Sequence, residues 1–591
     1  MKLVKMLLTP PVVAISAAFL TVNAAETTTT WQGPDGGDLA DAVNWNGNPP
    51  QYDAETNPDT KLYFKTSPAD SYGVTLLQNL TAYSAKFASG VDLDVDLNGK
   101  TLQFVSDVEF DALTANKPHI LLPGSQLALR NGSVLLASPD GSVTNKFYFM
   151  EDAANARIGR NSSLTLDNVT GGSDFDVRTT NIVITLKNGT KWNGNYYTFD
   201  GYKYGRVLVT GAGTVWNGQG RTFTLNGRSN ANANHNAFIV TDHAVVTNFS
   251  LASLGSNRFD LEITDGARFV PNGNYTLTLP GGTLKIATES EMKPQYLHLA
   301  TSGGMGIGEI SGPGTRLTIA GRADGYKEGV TLGYTGDASN SRLWIHDGAV
   351  VSNVAGDVHF TCAGTGTNMA IEVTDHAALY TSQPINMNKT GLKQARLVFD
   401  NCSTGRCFRF FFGASGVAHT NLLWIGDRSA LHCTGYLQGY AGNCNTMVIS
   451  NGTLSADGDI SLSSDLALVL AGQRPQVKGG FSVIPTQTAI TFDMPAEGYA
   501  TDQALLRTHN NKLVMTGSSA VFNLAAFLQH GEEKKTFTLI HCPSAITCDD
   551  ATLEIWRAAL PPKGCKLEFS ADKHDLLLTC KPLKGLMIIV R

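Results

Sequence analysis

Charge is scarce in this chain. Asp, Glu, Lys and Arg together make up 16% of its 591 residues, and they leave a net charge of −6. No concentrated basic surface is available to nucleic acid or to an acidic membrane. Long amphipathic helices are missing too: only Val521 to Gln529 has the spacing of one. After an apolar stretch from Met6 to Thr21, no run reaches the length of a membrane-spanning helix. The chain holds no GxSxG elbow, no P-loop and no dinucleotide fingerprint. The glycines of Gly303-Gly304-Met305-Gly306-Ile307-Gly308 precede no helix and so form no phosphate cradle. No cofactor is expected. The nine cysteines all fall between Cys362 and Cys580, and none forms a CxxC pair with zinc spacing. Pairing of neighbours (402 with 407, 433 with 444, 542 with 548, 565 with 580) would leave Cys362 over. Burial as small apolar residues is the alternative.

What the chain does have is glycine, 60 of them, and one recurring phrase. Leu343-Trp344-Ile345-His346-Asp347-Gly348-Ala349-Val350-Val351 shows it in full, and Ile371 to Leu379 repeats it. Alternation with a period of two puts Leu343 and Ile345 on one face, and Asp-Gly supplies the positive φ of a tight turn. Copies at Asp92–Leu102, Leu127–Ser133, Ile184–Thr190, Leu208–Thr214, Ile239–Ala244 and Ile263–Ala267 recur at roughly 23 to 34 residues, the period of a solenoid. Stacked coils bury a core that no single coil could bury. The expected fold is all-β: a right-handed parallel β-helix with capped ends. Lys2, Lys5, the apolar run and Val22-Asn23-Ala24 read as a signal peptide over 1–24. A Trp-rich N-terminal cap is expected over 25–75, the repeat array over 76–480 and a C-terminal cap over 481–591. Trp31 and Trp45 would plug the first open coil or else stack on a sugar.

Few residues suggest chemistry. Asp92, Asp94 and Asp96 share one strand face about 7 Å apart, as metal ligands or as a solvated outer face; Asp174 and Asp176 repeat the pattern. Tyr196, Tyr197, Tyr202 and Tyr204 are candidate contacts for a glycan, or a stacked ladder. His243 and His376 take the turn position held by Gly266, Gly348 and Gly452 in other copies and by Arg428 in another, which points to backbone geometry. His298, His346 and His359 lack any HExxH pairing. No catalytic residue emerges.

The phrases Val209-Thr210-Gly211-Ala212-Gly213-Thr214-Val215-Trp216 and Ile310-Ser311-Gly312-Pro313-Gly314-Thr315-Arg316-Leu317 resemble the repeats of autotransporter passenger domains. So do Val330 to Ile345 and the closing Lys535-Thr536-Phe537-Thr538-Leu539-Ile540, while Trp31 to Pro49 is similar to the opening of large secreted repeat proteins of Gram-negative-type bacteria. No translocator barrel of about twelve strands is expected after the cap, and Gly585 to Arg591 is expected to be a last strand. The resemblance implies a secreted or cell-surface structural or adhesive protein, in the periplasm or outside the cell. Its expected partners are glycans or surface and matrix proteins. The other class is a β-helical polysaccharide lyase or glycoside hydrolase, which needs carboxylates converging with each other or with Lys or Arg in one groove.

Overall fold

The computed structural model describes residues 27–583 except 48–59, 66–70, 89–90, 105–107, 111–125, 137–145, 150–160, 178–180, 195–196, 200–204, 220–221, 225–235, 249, 252–257, 271–275, 280, 301–304, 322–327, 334–338, 361–365, 389–390, 414–419, 441–444 and 463–464. Each phrase of the sequence is one turn of a parallel β-helix. In Arg342–His346 the apolar alternates Leu343 and Ile345 are fully buried. They stack in register on Ile371 and Val373 of the next coil, then on Leu397 and Phe399, then on Leu423 and Ile425. The advances of 28, 26 and 26 residues are coil lengths. A second strand per coil runs through Val350–Asn353, Ala378–Thr381, Thr404–Cys407 and Ala430–Cys433. A third runs through Asp357–Phe360, Ile385–Met387, Phe410–Phe412 and Leu437–Gly439. All of these pairings are parallel, so the backbone hydrogen bonds point along the axis of the stack while side chains alternate between core and outside.

The corners explain why the turns recur. Asp347 and Gly348 have φ of 53° and 76°, and Asp375 and His376 have 55° and 63°. Gly348 N–H donates to Asp375 O (2.9 Å), His376 N–H to Asn401 O (3.0 Å), Cys402 N–H to Asp427 O (2.8 Å) and Arg428 N–H to Asn451 O (3.0 Å). A backbone ladder thus fixes this corner, and His243 (φ 61°) and His376 hold it for their conformation. Gly452 does not belong to it. The corner residue of its coil is Asn451, φ 57°, while Gly452 lies one step on, with no positive φ and with space for no Cβ: the added atom would come 2.6 Å from the Ile425 side chain. Polar residues that face inward stack on their own kind. Ser403 N–H donates to Ser429 Oγ (3.0 Å), and Asn421 N–H to Asn445 Oδ1 (3.2 Å), so no buried donor is wasted at these positions.

At the N-terminal end Thr27–Trp31 already lies parallel on Thr60–Phe64, with Trp45–Asn46 antiparallel on its other side. Trp31 and Trp45 are both buried, edge-to-face at 5.1 Å, with Phe64 and Phe87 behind them. Neither offers a ring face to a sugar. At the other end parallel pairing continues through Ala489–Asp493 and Ser519–Asn523. It stops where Lys535–His541 meets Asp575–Cys580 antiparallel, with Cys565–Phe569 beyond. The helix expected from Val521 begins four residues later: α1 is Ala525–His530, because Ala520 and Phe522 face inward and hold Val521 in an extended strand. A second helix, α2 (Asp550–Ala558), is unanticipated. Asp549 caps it by accepting from Thr552 N–H (2.6 Å), and it packs Trp556, fully buried, edge-on against the stacked rings of Phe492 and Phe522. Among the described residues no helix is long and apolar enough to cross a membrane.

Candidate binding face

The outward positions of the coils form straight rows, since register carries each side chain above its counterpart one coil on. Asp92, Asp94 and Asp96 lie along one strand, each in a row of its own, and do not gather. Asp92 accepts from Ser71 Oγ (3.2 Å), Asp94 pairs with Arg130 Nε (2.7 Å), and Asp96 accepts from Asn98 N–H (3.0 Å) and Asn131 Nδ2 (3.3 Å). Strand geometry spreads three alternate residues along a line, and each carboxylate has a protein partner of its own. Of the tyrosines, Tyr196, Tyr202 and Tyr204 lie outside the described residues; Tyr197 opens the strand Tyr197–Phe199, with its side chain outside description. The side chains of Asp174 and Asp176, and residues 1–24, also lie outside it.

Two clusters do form, and neither was foreseen. The first grows on the strand Arg342–His346. Here the ring of His346, only 8% exposed, stacks on Trp344 with centroids 3.7 Å apart. Its Nδ1 lies 2.9 Å from Asp347 Oδ2 and its Nε2 3.3 Å from Glu309 Oε1 of the preceding coil. The two ring nitrogens thus each face a carboxylate, one from the same turn and one from the coil before. Asp375, one coil further, completes a group in which His346, Asp347 and Asp375 present ligand atoms within 4.8 Å of one another. Among the described residues these are the ones that could hold a metal. Hydrogen bonds from Asn401 and Thr374 keep the Asp375 carboxyl below its ordinary range. Alongside, Arg342 lies over Trp344 (4.8 Å) and pairs with Glu372, which Arg396 also approaches at 3.7 Å.

Among the described residues the carboxyls whose ionisation is displaced, Glu291, Asp375, Asp549 and Asp572, all move downward, each chiefly through hydrogen bonds it accepts. They are suited to holding charge, not to delivering a proton as a general acid at neutral pH.

The second cluster sits on the third strand row. In Phe410–Phe412 the outer rings Phe410 and Phe412 point into the core, so alternation turns Phe411 outward. Phe411 meets Tyr436 edge-on at 5.7 Å and Tyr440 at 6.3 Å. The Arg409 guanidinium is held between Phe408 (4.4 Å) and Tyr436 (4.6 Å), and Phe408 is 36% exposed. The result is an aromatic platform around one fixed cation. The signal was available: three phenylalanines in succession within a strand cannot all face the core.

No family model, curated protein or solved structure matches this chain.

Proposed function

We propose that the chain is an exported β-solenoid of the cell surface or its surroundings, structural and adhesive in role, that binds glycan along its lateral face. The observation that carries this reading is the platform of Phe408, Phe411, Tyr436 and Tyr440 around Arg409. Partly exposed rings offer apolar faces to the C–H face of a sugar, and a guanidinium held by cation–π contact donates to its oxygens at small entropic cost. The platform rests on register-locked strands, so its spacing is fixed before a ligand arrives. The repeats that resemble autotransporter passengers, and the leader-like opening, support export. The test is glycan-array binding by the chain from Ala25 to Arg591, repeated with F411A/Y436A and with turnover measured on each hit. Binding that falls at least tenfold in the double variant, with circular dichroism unchanged, supports the proposal. Binding that persists in it, or no binding at all, sinks the glycan reading.

A second reading, a carbohydrate-active enzyme, is favoured by the meeting of Glu309, His346, Asp347 and Asp375 beside Arg342 and Arg396. This is the kind of convergence such an enzyme requires. Turnover of an array hit that is abolished by D375N would establish it in place of simple adhesion.

A further inference from the structure

Among the described residues two pairs of cysteine sulfurs lie 3.4 Å apart, Cys407 with Cys433 and Cys565 with Cys580, all four as free thiols. The first pair is one step of an inward stack between neighbouring parallel coils, and both sulfurs are fully buried. The hydrogen bond with the Cys433 sulfur, and then burial, push the Cys407 thiol well above its ordinary range, and neither residue is open to solvent.

The second pair differs in every respect that matters. Cys565 and Cys580 stand directly opposite each other in the antiparallel strands Cys565–Phe569 and Asp575–Cys580. The next pair outward, Gly564 and Lys581, is joined by Lys581 N–H donating to Gly564 O at 2.7 Å. Antiparallel ladders alternate bonded and non-bonded pairs, so Cys565 and Cys580 form a non-bonded pair with Cα atoms about 4.5 Å apart. That separation lies inside the range of about 4.4 to 6.8 Å that a disulfide spans. Cys580 is buried, but Cys565 is only partly so. Its partial exposure makes Cys565 the nucleophile of the two, and its contact with the Cys580 sulfur holds its thiol below the ordinary range.

We propose that Cys565 and Cys580 are a redox couple that closes to a disulfide by exchange with a small-molecule disulfide, stapling the hairpin that ends the solenoid. In the first step the Cys565 thiolate attacks one sulfur of the donor, breaks its S–S bond and releases one thiolate. Cys580, losing its proton to solvent, then attacks the Cys565 sulfur and displaces the second thiolate. Two protein thiols are oxidised and one donor disulfide is reduced to two thiols. The staple matters because Asp575–Cys580 covers the outer edge of Lys535–His541, the final rung of the parallel stack.

The experiment equilibrates the full chain with oxidised glutathione, blocks remaining thiols with an alkylating reagent with or without denaturant, and maps tryptic peptides by mass spectrometry. The expected result is a linked peptide pair carrying Cys565 and Cys580, with Cys407 and Cys433 alkylated only after denaturation. C580S is expected to halt the exchange at a glutathione adduct on Cys565. Reduction of the wild type should raise amide exchange across 565–580 at least tenfold. Both cysteines recovered as alkylated free thiols, a link from either to another cysteine such as Cys548, or exchange unaltered by reduction would each overturn the proposal. The wild-type measurement decides even if the variant fails to fold.

Discussion

Gly405 is the one gap in an otherwise filled inward row, Val351–Leu379–Gly405–Leu431–Leu454. The gap is occupied from the side. A Cβ at Gly405 would lie 2.5 Å from Cε1 and Cζ of Phe399 and 2.9 Å from Cδ1 of Leu431. Ordinary carbon contact needs about 3.5 to 4 Å, so the Phe399 ring would have to withdraw by roughly 1 Å. It is fully buried and stacked between Val373 and Ile425, so it has nowhere to withdraw to. G405A should therefore cost about 2 kcal/mol by overpacking. F399L alone should cost about 1 to 1.5 kcal/mol for the apolar mass it removes. Together they should compensate, because the new methyl enters the space the ring vacates, with a coupling of at least about 1 kcal/mol. Native-state hydrogen exchange over the strands Arg396–Phe399 and Thr404–Cys407 reads the opening free energy of this coil directly, without requiring the whole array to unfold as one unit. A G405A variant as protected as wild type, or a double variant whose loss is the plain sum of the two, would refute the account of how this coil is packed.

Other consequences are simpler to test. H376G removes a side chain from a left-handed backbone (φ 63°), where non-glycine residues pay about 1 kcal/mol or more; set against the entropy glycine loses, a gain of about 0.5 kcal/mol is expected in denaturant titration at unchanged slope. Asp375 is held ionised in the folded state, so its contribution is present above the unfolded carboxyl pKa of about 3.9 and lost as pH falls through its lower folded value. D375N should accordingly be less stable than wild type at pH 7, and the gap between the two melting curves should narrow as pH falls below about 3.9.

The β-helix was legible because each coil states its inward residues within a few positions of its own turn, as Leu343 and Ile345 do before Asp347-Gly348. Features that depend on coil-to-coil register were not. Glu309 meets His346 across 37 residues, a distance in sequence that only the lengths of the intervening corners convert into contact. Asp92, Asp94 and Asp96 drew attention because they alternate along one strand, yet Arg130, set by register opposite Asp96, reaches diagonally to Asp94. In α2 the helix is short and its burial rests on Trp556 alone among its large apolar residues, too little periodicity for a pattern to register. Phe411 was hidden by its neighbours, since an apolar run reads as core until alternation is applied to it.

The axial direction of the backbone hydrogen bonds has a mechanical consequence. A pull along the stack loads the bonds on the three faces of a coil together, so the rod resists as a stiff element until one interface fails. Before failure each coil contributes about 4.8 Å of length. A released coil of 26 residues pays out roughly 85 to 90 Å when drawn straight. One broken rung thus adds length equal to many intact ones, and tension drops while the remaining rungs hold. A tether built this way would yield stepwise under shear, absorbing work at each step.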